Sequence, residues 1–144
     1  MQIREYLPED REKTAALWLT STIKAHPFIP EEYWLRAYRE VYHRWLPETK
    51  TLLAEVDGEI EGFLSFTAPG EIGALFVGPS CQGKGHGTAL LDAAKKRFVR
   101  LQLSVYAQNV RAVAFYEKNG FVPQAERVEE STGQRELVMV WHRP

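Results

Sequence analysis

Apolar positions recur along the chain with two different periods, and each change of period predicts a change of structure. Residues 3–6 read as a short strand. Pro8 suits a first helical turn, where Glu9 and Asp10 meet the positive end of the helix dipole. Ala15, Leu19 and Ile23 then fall on one face, and Pro27 and Pro30 end the helix. A second helix carries Trp34, Ala37, Val41 and Trp45 on one stripe and is expected to stop before Pro47. Residues 51–56 and 60–67 read as strands joined by the two-residue turn Asp57-Gly58. Pro69-Gly70 marks another turn, and Glu71–Val77 is a short buried strand closed by Gly78-Pro79.

The second half continues the alternation. Gln82-Gly83-Lys84-Gly85-His86-Gly87-Thr88 opens a helix to about Phe98, with Lys95, Lys96 and Arg97 in its last turn. Leu101, Leu103 and Val105 alternate in a strand over residues 101–107. Asn109 is a good N-cap for a short helix that ends at Asn119-Gly120. Two last strands, 121–128 and 136–141, flank the turn Ser131-Thr132-Gly133. The predicted order is β-α-α-β-β-β-α-β-α-β-β, a mixed α+β architecture forming a single domain over residues 1–144.

Composition narrows the class. With 44% hydrophobic and 26% charged residues the chain is globular rather than disordered. Residues 72–83 are the longest stretch without a charge, too short for a membrane-spanning helix, and residues 1–5 carry no apolar leader. A single cysteine, Cys81, leaves no internal disulfide and no cysteine-based zinc site, and no metal is expected. A reducing cytoplasm is the expected location. The net charge of −1 hides a division: residues 1–81 hold 8 basic and 13 acidic residues (−5), residues 82–118 hold 7 and 2 (+5), residues 119–144 hold 3 and 4 (−1). A nucleic-acid signature over the whole chain is absent, and a local anionic ligand is favoured instead.

The basic stretch coincides with the glycine-rich loop. Glycines let backbone approach a ligand closely, and free N–H groups at a helix start bind phosphate. Residues 78–85 follow the ATP-binding P-loop pattern until Gly85 stands where a hydroxyl would hold magnesium. The spacing G-x-G-x-G also departs from the dinucleotide fingerprint G-x-G-x-x-G.

Gln82-Gly83-Lys84-Gly85-His86-Gly87 matches [QR]-x-x-G-x-[GA], and in this it resembles the pyrophosphate loop of the GNAT superfamily of N-acetyltransferases. The preceding Ala74-Leu75-Phe76-Val77-Gly78-Pro79 resembles that family's strand end, and Asn109 to Phe121 is similar to its N-x-x-A-x-x-x-Y-x-x-x-G-F segment. The stretch from Trp18 to Trp45 looks like a small bacterial branch described as protein-lysine or uncharacterised acetyltransferases. The resemblance implies the GNAT fold, a mostly antiparallel sheet of about seven strands with four helices. It implies acetyl transfer from acetyl-CoA to a primary amine, on a protein lysine or a small cationic molecule, by direct attack in a ternary complex.

On that resemblance Gln82, Gly83, Lys84, Gly85, His86, Gly87 and Thr88 hold the pyrophosphate, His86 through its backbone. The backbone of Leu75, Phe76 and Val77 pairs with the pantetheine arm, Asn109 and Phe115 lie along the cofactor, and Tyr116 is the acid toward the departing thiolate. A phenol with an ordinary pKa of about 10 keeps its proton for a thiolate of about 8.5. Two residues compete as base for the amine. Glu71 lies eleven residues before Gln82, an offset at which some histone-acetylating members carry a glutamate. His26, between the first two helices, has the better pKa. A water chain is the third possibility.

Six of the 17 aromatic residues, Phe28, Tyr33, Trp34, Tyr38, Tyr42 and Trp45, lie within residues 28–45. Trp34, Tyr38 and Trp45 have the spacing of core, whereas Phe28 and Tyr33 flank the proline-broken loop and suit an acceptor pocket. The acidic N-terminal stretch favours an acceptor that is cationic before it loses its proton. A non-catalytic acetyl-CoA-binding regulatory module is the alternative, and both monomer and homodimer fit the sequence.

Overall fold

The computed structural model describes residues 1–144. Seven strands form one sheet in the order β1-β2-β3-β4-β5-β7-β6, namely β1 (Gln2–Glu5), β2 (Lys50–Val56), β3 (Glu59–Ala68), β4 (Glu71–Val77), β5 (Arg100–Tyr106), β6 (Val122–Glu129) and β7 (Gln134–His142). Every neighbouring pair is antiparallel except β4 and β5. Four helices complete the α+β fold: α1 (Arg11–Ala25), α2 (Glu31–Glu40, continued by a wider turn Val41–Trp45 and a last turn Leu46–Glu48), α3 (His86–Arg97) and α4 (Val110–Lys118). The element order is the one the sequence pattern predicts, and no helix is long and apolar enough to cross a membrane.

Helices cover both faces of the sheet, so central strands bury consecutive residues. Leu52 and Leu64 pack beneath α3 with Leu90, Leu91 and Met139, while their neighbours Leu53 and Phe63 pack beneath α1 with Ala15 and Trp18. The buried face of α1 is rotated from the expected one. Thr14, Ala15, Trp18, Ser21 and Thr22 are buried, and Leu19 and Ile23 are half-buried. A helix can satisfy such hydroxyls internally, as at Thr14, whereas Ser21 Oγ is buried without a partner. Thr14 Oγ1 donates to the Asp10 carbonyl at 2.8 Å.

α2 does not stop before Pro47. The chain widens to a π turn over Val41–Trp45, in which the Leu46 N–H reaches back five residues to the Val41 carbonyl. A proline ring clashes with the carbonyl four residues before it, and the wider winding relieves that clash. One product is the position of Trp45, whose ring lies against Gly73 of β4.

Register shifts occur at β2–β3, β3–β4 and β6–β7, and the one on β4 shapes the site. Opposite β3, Phe66 pairs with Ile72 and Ser65 with Ala74, so Gly73 is a bulged residue. Alternation breaks there: Ile72 packs on the α3 side, whereas Ala74 and Phe76 pack on the α1 side. A bulge bends and twists its strand. β4 pairs with β5 only at Glu71–Gln102 and Ile72–Leu103, and from Gly73 onward the two strands splay apart.

Candidate active site

The gap between β4 and β5 is a cleft of about 290 Å³. One wall comes from α1 and α2 and the loop between them, through Trp18, Thr22, His26, Trp34 and Trp45. The other comes from α4 and its cap, through Asn109, Ala112 and Tyr116. The floor is backbone of Gly73–Phe76 and Ser104–Tyr106. The Gly78 N–H donates to the Glu61 carbonyl at 2.8 Å. Pairing alternates from there along β4, so the backbone groups of Leu75 and Val77 face the gap, while those of Phe76 face β3. The Gln82 amide reaches Val77's free carbonyl at 3.4 Å.

At the end of β4 the chain forms a loop with no protein partner for its amides. None of the backbone N–H groups from Gln82 to Thr88 donates within the protein, and the first helical bond of α3 runs from Ala89 to Gly85. Gly83 and Gly85 adopt φ of +81° and +86°, with open space where a side chain would stand. These are left-handed values that glycine tolerates best. The loop fits a phosphate-bearing ligand: unpaired amides, a helix N-terminus and exposed Lys84 converge on one spot. Thr88 is exposed on the first turn, and Gly87 lies so close to Phe115 that a Cβ would meet its ring at 3.0 Å. Phe115 thus packs under the loop and does not line the cleft.

His86 turns inward from this loop. Its side chain is buried, with Nε2 2.7 Å from Glu61 Oε1 on β3. The His86 contact holds the Glu61 carboxyl below its usual range, with smaller contributions from the Cys81 thiol and the charge of Lys84. Glu61 therefore grips the loop two ways, by its backbone to Gly78 and by its side chain to His86. No motif pointed to Glu61; only the sheet brings it beneath the loop.

Tyr116 is buried on α4, 5.4 Å from the Phe115 ring and 5.6 Å from Phe121. Its hydroxyl has no partner among the protein's hydrogen bonds. Burial pushes the phenol well above its ordinary value, so it holds its proton at neutral pH. Asn109 Oδ1 accepts from the Ala112 N–H at 3.3 Å. That cap sets the start of α4.

His26 occupies the facing wall. Its Nδ1 lies 2.7 Å from the Thr22 carbonyl. A carbonyl cannot donate, so Nδ1 carries the proton. Nε2 then holds a lone pair and has no partner in the protein. The imidazole is surrounded by Trp34 at 5.1 Å, Tyr106 at 5.2 Å, Phe28 at 5.7 Å and Phe76 at 6.4 Å. Burial lowers its pKa below the usual histidine value, partly offset by the Thr22 carbonyl, which favours the neutral ring at neutral pH.

The structure does not bring Glu71 to this place. It is exposed at the first residue of β4, before the bulge, where Thr67 Oγ1 donates to it at 2.8 Å. It borders a separate depression with Phe98, Val99 and Arg100. Trp34 and Trp45, expected as plain core, are cleft wall as well. Phe28 and Tyr33 stand at the rim: Phe28 lies 5.8 Å from Tyr106, and the Tyr33 hydroxyl bonds Ser131 at 2.6 Å. Tyr106, the last residue of β5, was missed by sequence reasoning, and its place beside the bulged strand is its only signal.

The chain matches the model of the acetyltransferase (GNAT) domain over residues 11–142. It is 34% identical over 119 residues to the peptidyl-lysine N-acetyltransferase YiaC of Escherichia coli, covering 83% of this chain and 82% of the relative. Among solved structures it is similar to the apo form of YjaB from Escherichia coli, with a TM-score of 0.86 and 28% identity over 99% of this chain and 98% of that one. It is also similar to the PaiA N-acetyltransferase of Thermoplasma acidophilum in complex with coenzyme A, with a TM-score of 0.82 and 27% identity over 98% of each chain.

Proposed function

The chain belongs to the GNAT family of acetyl-CoA-dependent N-acetyltransferases, and from that premise we propose that it acetylates a lysine side chain by direct attack, with His26 as base and Tyr116 as acid. The observation that carries the reading is the pairing of two buried, oppositely suited groups on facing walls of one cleft. His26 offers a bare Nε2 lone pair, and Tyr116 offers a retained phenolic proton.

Acetyl-CoA, when bound, supplies a thioester carbonyl and a thiolate leaving group. The amides of residues 82–88 hold its pyrophosphate, and Lys84 adds charge there. The gap-facing backbone of Leu75 and Val77 pairs with its extended arm, as an added strand would, and an N–H there is available to the carbonyl oxygen. Asn109 and Phe115 support this side through the α4 cap and the loop contact.

A lysine amine is mostly protonated at neutral pH and must lose a proton before it attacks. His26 Nε2 takes that proton, and the Thr22 carbonyl on Nδ1–H fixes the tautomer and steadies the imidazolium that forms. Tyr116 passes its hydroxyl proton to the leaving sulfur. Trp18, Trp34 and Trp45 exclude water and line a passage for an aliphatic arm. Peptidyl lysine is the acceptor that the relatives' activity favours. Glu71 carries no role in this reading, since it opens on another surface.

The test is thiol release with acetyl-CoA and lysine peptides, together with the kcat/KM profile against pH. The reading expects an acid limb that His26→Gln removes. Retention of that limb in the variant would overturn His26 as base.

A further inference from the structure

We infer that Glu129 determines acceptor specificity, selecting substrates that carry a second positive charge beside the reacting lysine. The inference rests on the acetyl-transfer reading and extends it to the acceptor's surroundings.

Glu129 is the last residue of β6, at the base of the turn over residues 130–133. Two other carboxylates of this hairpin have arginine partners: Glu126 pairs with Arg135, and Glu136 accepts from Arg127 at 2.6 Å. Glu129 has none. Its carboxylate accepts from Ser131 N–H at 3.1 Å, Ser131 Oγ at 2.6 Å, Thr132 N–H at 3.0 Å and Thr132 Oγ1 at 3.0 Å. All four donors are neutral. They fix the carboxylate in orientation and keep it ionised, but they leave its charge uncompensated.

That charge sits at the rim of the acceptor wall. Ser131 Oγ, which donates to Glu129, is 2.6 Å from the Tyr33 hydroxyl of α2. Tyr33 therefore donates into the network. Thr132 Oγ1 is 3.5 Å from the Tyr106 hydroxyl. Burial pushes that phenol up to about 12, and the negative charges of Glu129 and Glu136 add to the shift. The Tyr106 ring itself packs edge-on to His26, with ring centroids 5.2 Å apart. Tyr106 thus links the two places, its ring against the proposed base and its hydroxyl beside Thr132, which donates to Glu129. A lysine that reaches His26 past this rim brings the residues beside it toward Glu129. The rings of Tyr33, Tyr106 and Phe28 border the same opening and favour a cation there.

The experiment compares kcat/KM for two lysine peptides that differ only beside the lysine, arginine in one and alanine in the other. It uses the full chain with excess acetyl-CoA at low and high salt. The wild type is expected to prefer the arginine peptide about fivefold at low salt, the size of a rim ion pair. The preference should shrink toward unity at high salt. Glu129→Gln should collapse the ratio, and Glu130→Gln, changing the adjacent exposed carboxylate, should preserve it. No preference in the wild type, a preference insensitive to salt, or an undiminished ratio in Glu129→Gln would each overturn the inference. The salt arm needs no variant, so a poorly folded Glu129→Gln leaves the test intact. Failure of both peptides to release thiol would instead strike the acetyl-transfer reading itself.

Discussion

The two walls of the cleft are made in opposite ways. In the proposed reading the cofactor-facing wall comes from two nearly continuous stretches, residues 74–88 and 109–116, and its main recognition groups are backbone amides. The acceptor-facing wall is gathered from α1, the loop after it, α2, the end of β5 and the tip of the β6–β7 hairpin, and it works through side chains. Backbone recognition demands particular residues at fixed spacing, because only certain φ values present the amides. Side-chain recognition demands only that a scaffold hold the right groups, from wherever they come. The first wall can recur across a family while the second changes with the acceptor.

The largest effect that sharpens this contrast is expected at Tyr116. Tyr116→Phe removes the hydroxyl and keeps the ring that packs against Phe115 and Phe121. Loss of a general acid lowers kcat by about 10²- to 10³-fold, with little change in the KM for acetyl-CoA. Steady-state kinetics with both substrates varied measures this split. An unchanged kcat would mean that the thiolate leaves without help from this wall.

His26→Gln is next, with kcat lower by about 10²-fold and the acid limb of the pH profile lost. The same residue predicts a stability effect whose sign follows from burial. The folded chain holds His26 below the usual 6.5. On acidification the unfolded chain therefore takes up a proton at a pH where the folded chain does not. Stability falls as pH drops below about 6.5. Thermal melts at pH 7.5 and 5.5 should show a larger loss in the wild type than in His26→Gln.

Much of the cofactor wall was legible in the sequence because its chemistry is local. The loop glycines, the Asn109 cap and the strand ending at Val77 occupy the expected positions. The parts that were not legible are the ones that need a neighbour. The bulge at Gly73 puts the opening beyond Glu71 and beside His26, a placement no local pattern carries. An isolated glycine inside a strand pattern is itself a bulge signal. A Cβ there would collide with Thr67 Cγ2 and meet the Trp45 ring at 3.2 Å. The rotation of α1 and the π turn before Pro47 are likewise tertiary: buried Trp18 and the proline clash outweigh simple periodicity.

Glu61 tests whether the cofactor wall is as self-contained as its motif suggests. Glu61→Ala leaves His86 Nε2 buried without its partner and removes the side-chain tie from β3 to the loop, while the backbone bond to Gly78 stays. The KM for acetyl-CoA should rise about tenfold while kcat changes little, with Glu61→Gln restoring most of the loss through its remaining oxygen. Isothermal titration with coenzyme A measures the same effect without turnover. Full affinity in Glu61→Ala would show that the glycine loop holds its shape alone.

Ser131→Ala should give the smallest effect, and it falls on the other wall. The Ser131 hydroxyl accepts from Tyr33 and donates to Glu129, so its loss cuts the one hydrogen bond between α2 and the hairpin tip while leaving the carboxylate its other donors. An exposed neutral hydrogen bond is worth at most about 1 kcal/mol, and water replaces much of it. The KM for a lysine peptide should therefore rise about two- to threefold. The KM for acetyl-CoA should not move, because no part of this contact touches the loop at residues 82–88. A matched rise in both constants would mean that the walls are coupled through the splayed strands. Their separate construction would then describe how the chain is assembled but not how the site responds to its two substrates.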